Sequence, residues 1–328
     1  MRKLLDLDQK LLEDLGIVDW GYTEEAVPKS FDRYESWVEK GNHGPLGYLS
    51  DHRKDLRKSL EAVKENFESA IVFLFSYAPE KAALEKFYKS KDSNGLKVAG
   101  YSVSFEGHDY HYKIKEKLEL LGHKIDKPFK ISLDIQPVLE RDLAYRSGLG
   151  WFGKNSMLIN RKKGSFNMIG ALLFEEKLPI SKQPIETDHC GQCTACFDIC
   201  PTDAIDLPNR QIIANKCIST FTIELFKESE APVGYDKADE IFGCDLCQDI
   251  CPWNKRMERE GEFSIDHSWP TQRSKELVEF FLARPPLEIK NELESMSNKA
   301  YIRKFKGTSF ERTGRLGLLK NLKKFFAL

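Results

Sequence analysis

The chain has 328 residues, with 50 Lys plus Arg against 51 Asp plus Glu and a formal net charge of −1. That length allows about two domains, and the charge balance excludes a uniformly basic nucleic-acid binder, so such a partner must be met by a local patch. Eight cysteines spread over a chain this long do not fit a small disulfide scaffold.

Residues 1–6 turn acidic and amphipathic and carry neither a secretory apolar core nor a twin-arginine pattern, so a cytoplasmic protein is expected. The longest apolar stretch, residues 70–77, is strand-sized and too short to cross a bilayer, so no membrane association is expected. Tyr110, Ile114, Leu118 and Leu121 recur at helical spacing, with Gly122 as the expected C-terminal cap. Phe129, Ile131, Leu133 and Ile135 alternate, which predicts a strand with Lys130, Ser132 and Asp134 on its other face. Pro137 then opens a helix predicted to end near Gly148. Residues 157–160 and 165–174 read as a hairpin across the turn Arg161-Lys162-Lys163-Gly164. The composition changes near Pro184, and a polar stretch containing Pro270 leads into a helical, basic tail. There Lys299, Arg303, Lys304, Lys306, Arg312, Arg315, Lys320, Lys323 and Lys324 face only Glu311, with Tyr301, Phe305, Phe310, Phe325 and Phe326 interspersed.

The cysteines carry the chemistry. Cys190-x2-Cys193-x2-Cys196-x3-Cys200-Pro201 and Cys244-x2-Cys247-x3-Cys251-Pro252 are separated by a lone Cys217. This is the bacterial ferredoxin spacing for two 4Fe–4S cubanes, in which the last cysteine of one run serves the other run's cluster. Crossed ligation assigns Cys190, Cys193, Cys196 and Cys251 to one cluster. Cys200, Cys244 and Cys247 fall to the other, and Cys217 is the thiol left to complete it. Structural zinc is the competing reading, but four cysteines compressed into one short run suit a single tetrahedral ion poorly. A disulfide framework is the other, and belongs to small secreted chains.

Residues 133–141, Leu-Asp-x2-Pro-Val-Leu-Glu-Arg, and then Gly148-Leu149-Gly150-Trp151-Phe152-Gly153-Lys154-Asn155 resemble the epoxyqueuosine reductases. The likeness continues through Gly47-Tyr48-Leu49, Gly107-His108-Asp109-Tyr110-His111, Gly164-Ser165-Phe166, both cysteine runs and residues 217–224. The resemblance implies an α+β architecture. It comprises a flavin-nitroreductase-like α/β domain holding base-off cobalamin (residues 1–183), a two-cluster ferredoxin-like module (184–258) and a short helical basic segment (259–328) without a full HEAT-repeat array. It also implies reduction of the epoxide of epoxyqueuosine, at the tRNA wobble position, to queuosine. Electrons would come from an external low-potential donor such as a flavodoxin or ferredoxin, and a monomer is expected.

By the same resemblance Asp134 is the proton donor, and a carboxyl near an apolar corrin face is expected to have a raised pKa. Its alternative is a strand-end carboxylate capping the next turn. Arg57, Ser102, Leu158, Asn160, Ile169 and Glu224 correspond to cobalamin contacts, and Arg141, Lys154 and Asn155 are polar candidates within the shared blocks. Leu158 and Ile169 could instead be hairpin core, and Arg141 a surface helix residue paired with Glu140 or Asp142. Two positions depart from the family pattern: Ser102 stands where some members have a cysteine near the cobalt, and Ala171 where many have Glu. His111 reads as a surface or core histidine rather than a cobalt ligand. The basic tail is the candidate tRNA surface, against a solvated helix face with phenylalanines in its core. A reductive dehalogenase-like corrinoid enzyme and a non-catalytic iron–sulfur carrier are the competing functions.

Overall fold

A computed structural model describes residue 5, residues 7–260, residue 269 and residues 271–326. Pro270 and most of the N-terminal segment read above lie outside the described residues.

A four-stranded antiparallel sheet organises the first part of the chain, in the order Ile17–Thr23, Ser69–Ser76, Asn167–Phe174, Phe129–Ser132. Ser69–Ser76 is central, so both of its faces are buried, and it reads in sequence as an unbroken apolar run. Its side chains divide by alternation. Ile71, Phe73 and Phe75 pack with Ile114, Leu118 and Leu121 of the helix Tyr110–Ile125. Ala70, Val72 and Leu74 pack on the opposite face with Leu60, Val63, Leu143, Ala144 and Leu149.

Several expectations need correction. Gly122 is not a cap: the helix runs on to Ile125 and ends on Asp126 in the left-handed region. Gly122 is small because a Cβ there would lie 2.4 Å from the Phe129 ring. The strand from Phe129 stops at Ser132, and Ile135 is 75% exposed because the chain turns away at Asp134, whose φ is +36°. The following helix is Glu140–Arg146, shorter than expected. The arms of the expected 157–174 hairpin diverge after the bridge Asn160–Gly164. Leu158–Ile159 pairs with Trp151–Phe152, while Asn167–Phe174 joins the large sheet.

The C-terminal helices Gln272–Val278, Pro286–Ser295, Asn298–Phe305 and Phe310–Leu322 share a core with Leu84, Leu96, Val98, Val103, Ile241 and Phe242. Tyr301, Phe305 and Phe310 are 1%, 2% and 0% exposed, so these aromatics are packing residues and cannot stack on bases. Among the described residues no helix is long and apolar enough to cross a membrane.

The cysteine-bearing segment is riveted to the sheet domain by buried polar bonds. Ser165 N donates to Asn254 Oδ1 at 2.8 Å, Asn254 Nδ2 to Ser165 Oγ at 2.9 Å, and Ser165 Oγ to Gln248 Oε1 at 2.9 Å. Lys81, 3% exposed, is held by Glu85 and Asp249 at 2.8 and 2.9 Å, and Asp245 accepts from Gly100 N at 2.7 Å. The rivet requires Gly164, which has φ +59° and would bring a Cβ within 2.1 Å of Asn254 Oδ1. Gly164→Ala is expected to destabilise the chain by about 1–3 kcal/mol, read as a lowered midpoint in urea unfolding with an unchanged slope.

Candidate active site

Three segments meet around a cavity of about 360 Å³. The helix Phe31–Glu39 supplies Arg33, Tyr34 and Trp37. The turn and helix start at 134–142 supply Asp134, Gln136, Glu140 and Arg141, and the cysteine module supplies Gln211 and Ile212. Tyr48, Arg57, Phe152 and Ser156 complete the wall. Side-chain donors bonded to backbone carbonyls lock the pieces together: Trp37 Nε1 donates to Ile212 O at 2.7 Å, and Gln211 Nε2 to Arg33 O at 3.0 Å. Flat aromatic faces with a few convergent polar groups are the usual lining of a site for a large organic ligand. Gln211 Oε1 is buried without a partner among the described residues, an acceptor that a ligand N–H or O–H would satisfy.

Asp134 sits at the mouth with its side chain 54% exposed. Its Oδ2 accepts from Tyr110 Oη and lies 3.5 Å from His111 Nε2. His111 Nδ1 lies 2.6 Å from Asp109 Oδ1. Glu140 Oε1 accepts the backbone N–H of Asp134, which fixes the left-handed turn. The expected raised pKa of Asp134 is corrected here. Desolvation, the largest influence, raises it, but the hydrogen bonds from His111 and Tyr110 together with the His111 charge outweigh this and hold it low. Glu140 carries the raised pKa instead, pushed up to about 8 by burial and then by the Asp134 charge. Asp134 therefore rests ionised beside a carboxyl that keeps its proton at neutral pH.

The first cysteine run is linked to this cavity through residues 151 and 152. All eight thiols are free, so no disulfide framework exists. The thiols influence one another electrostatically within and between the two runs. Cys196 is pushed up to about 11, first by burial and then by Cys190, Cys251 and Cys193. After burial, Cys217 is raised by Cys200, and Cys244 by Glu240, Cys247 and Cys217. After burial, Cys247 is raised by Cys217, Asp245, then Cys196 of the first run, then Cys200. Among the described residues no group of three or more His, Cys, Asp or Glu is drawn together closely enough to hold a metal ion. Trp151 Nε1 donates to Cys190 Sγ at 3.5 Å, and the next residue, Phe152, lines the cavity. One dipeptide thus joins the cavity wall to the first cysteine run.

Two family models match: the 4Fe-4S double cluster binding domain over residues 189–254 and Epoxyqueuosine reductase QueG, DUF1730, over residues 57–137. Over 315 residues the chain is 36% identical to the epoxyqueuosine reductase of Cyclobacterium marinum, covering 94% of this chain and 90% of that protein. The chain belongs to the epoxyqueuosine reductase family. It is an oxidoreductase with a double iron–sulfur cluster-binding domain. Its α+β fold resembles the epoxyqueuosine reductase of Streptococcus thermophilus, with TM-score 0.74 and 23% identity over 96% of this chain and 79% of that one. An epoxyqueuosine reductase solved with a tRNA-Tyr epoxyqueuosine-modified stem loop matches with TM-score 0.70 and 23% identity, over 96% and 80% of the two chains.

Of the residues singled out by resemblance to epoxyqueuosine reductases, Asp134, Arg57 and Arg141 line the cavity. Arg141 is exposed on its helix, and its guanidinium donates to Ser156 O and Oγ. Lys154 and Asn155 point to the cysteine loops: Lys154 Nζ donates to Gly191 O and Cys193 O at 2.7 and 2.9 Å, and Asn155 Nδ2 to Cys247 O at 3.2 Å. Asn160 is consumed in the fold, donating to Asp19 Oδ2 and Leu149 O at 2.8 Å each. Leu158 and Ile169 pack in the core beside Leu149 and Leu173. Ser102 is fully buried and donates to Ala99 O at 2.7 Å. Glu224 forms a fork with Arg312 at 3.0 and 2.6 Å, and this pair bears electrostatically on Tyr48, as Arg312 does on Asp134. Sequence reasoning missed Tyr110, Glu140 and Trp151 as site residues. All three lie within the blocks carrying the family resemblance, which was the available signal.

Most of the basic tail is also spent internally. Lys320 and Lys324 donate to backbone carbonyls, and burial pushes both down to about 8. Lys304 pairs with Glu292 and Lys323 with Glu228 at 2.6 Å each. Lys299, Arg303 and Lys306 form no ion pair among the described residues.

Proposed function

We propose that this chain reduces the epoxide of epoxyqueuosine in tRNA to the alkene of queuosine, with loss of water, using cobalamin and two 4Fe–4S clusters. The observation that carries the reading is the continuity of Trp151 and Phe152, one bonded to a cluster thiol and the other lining a cavity with a carboxylate at its mouth. The cysteine spacing supports crossed ligation, with Cys190, Cys193, Cys196 and Cys251 on one cluster and Cys200, Cys217, Cys244 and Cys247 on the other.

The cavity's donor set fits a corrin. Tyr34, Trp37, Tyr48 and Phe152 offer faces for the macrocycle, while Gln136, Ser156, Arg57 and the unpartnered Gln211 Oε1 suit its amide arms. When bound, cobalamin supplies a strong reductant or nucleophile, and the clusters supply single electrons from a donor such as a flavodoxin or ferredoxin. The chain's own part is to orient the nucleoside at the mouth and deliver a proton to the departing oxygen from Asp134. Eight free thiols committed to metal support a reducing, cytoplasmic setting.

The test is conversion of epoxyqueuosine-containing tRNA by the reduced, cobalamin-loaded protein, followed by nucleoside mass spectrometry. Iron and sulfide without cobalamin uptake or conversion would instead leave an electron carrier. Lys299, Arg303 and Lys306 form the residual tRNA-facing charge. Reversing all three to Glu should lower the slope of log affinity against log salt by about 2, and an unchanged slope would remove this surface from the reading.

A further inference from the structure

We propose that His111, oriented by Asp109, is the group that recharges Asp134 with a proton during turnover; this deepens the functional reading above and rests on it. Asp109 caps the helix Tyr110–Ile125, accepting His111 N at 2.9 Å, and the same Oδ1 lies 2.6 Å from the ring's Nδ1. A carboxylate at Nδ1 fixes the ring so that Nε2 is the nitrogen presented to a second partner. That partner is Asp134, 3.5 Å away. The Tyr110 ring stacks on His111 at 4.1 Å between centroids while its hydroxyl donates to the same Asp134 oxygen. Tyr110 thus holds the two ends of the transfer in register.

A nucleoside at the cavity mouth would cover the half-exposed Asp134. His111, 26% exposed, remains the neighbour through which a proton enters. The step balances as a proton transfer alone. The Nε2–H bond of the imidazolium breaks and an O–H bond forms at Asp134 Oδ2. That proton passes to the departing oxygen, and the neutral imidazole takes a replacement from water.

The charged and titratable groups around His111 agree with this role. Asp109 and Tyr110 come from its own segment, Asp134 from the turn, Glu140 from the following helix, and Arg312 bears on Asp134 from the C-terminal helix. Desolvation lowers the His111 pKa, but bonds to Asp109 and Asp134 and their charges outweigh it and push it up to about 9. The folded chain therefore binds this proton more tightly than the unfolded one. The resulting stability is present below the ordinary value of 6.5 and is lost as pH rises through about 9.

The experiment compares the cluster- and cobalamin-loaded chain with its His111→Gln variant on epoxyqueuosine-containing tRNA. Expected are a fall in kcat of about tenfold or more, an unchanged KM and a melting-temperature gap that closes across that pH window. In His111→Ala, added imidazole should restore rate. NMR titration without substrate should show the His111 ring titrating lower in Asp134→Asn than in the wild type. Full kcat in His111→Gln, or a His111 titration indifferent to Asp134, would overturn the proposal. An inactive wild type would instead count against the functional reading, so the two failures are distinguishable.

Discussion

Cys217→Ser is expected to leave about four of about eight iron atoms on the purified chain and to abolish sustained turnover. Cys217 follows the turn Ala214–Lys216, with its N–H on Ala214 O at 3.1 Å and its carbonyl accepting Phe221 N at 3.1 Å. Its neighbours Ile218 and Phe221 are buried against Tyr235 and Ala238. The backbone is therefore held by the fold, independent of metal, and a serine there should keep the local structure. It would lack a readily ionised sulfur. Cys200, Cys244 and Cys247 would be left with three corners of a four-ligand site, while the group around Cys196 and Cys251 would be untouched. Cys190→Ser should do the converse. It also replaces the sulfur that accepts from Trp151 Nε1 with an oxygen on a shorter bond, so it should disturb the cluster nearer the cavity wall. Iron and sulfide analysis with electron paramagnetic resonance of the reduced variants separates the two. A Cys217→Ser chain with its full iron content would mean that another group completes the second cluster, and the crossed assignment would fall.

The cysteine runs and the central strand were legible in sequence because each is governed by one local rule: ligand spacing in the first case, burial on both faces in the second. The mouth of the cavity was not. Asp134 leaves its strand at a positive φ, so alternation misread Leu133 and Ile135 as strand continuation. Its pKa is decided by His111 from a helix two dozen residues earlier and by Glu140 from the next helix, and no periodicity encodes their meeting. Lys154 and Asn155 were grouped with cobalamin by their place in a shared block, yet their hydrogen bonds end on cysteine-loop carbonyls. In the tail, composition registered the cations but could not register partners such as Glu224, Glu228 and Glu292, which lie outside the basic run.

Asp134→Asn is expected to lower kcat by about 10²–10⁴-fold while leaving cluster content and tRNA affinity near those of the wild type. Asparagine keeps an oxygen to accept from Tyr110 Oη and keeps the backbone N–H that Glu140 accepts. The turn should therefore survive, and asparagine tolerates the left-handed region as well as aspartate does. What is lost is an oxygen that can take a proton from one side and release it on the other. Removing the Asp134 charge also removes an influence that raises the Glu140 pKa and one that raises that of His111. Both groups should then titrate at lower pH, and residual activity should decline at lower pH than in the wild type. Glu140→Gln separates a reservoir from a donor. If Glu140 only fixes the turn, its amide oxygen still accepts Asp134 N–H and single-turnover reduction stays near the wild-type rate. A collapse of single-turnover rate in Glu140→Gln with full activity in Asp134→Asn would move the acid role to the buried carboxyl, since at neutral pH that is the one holding a proton.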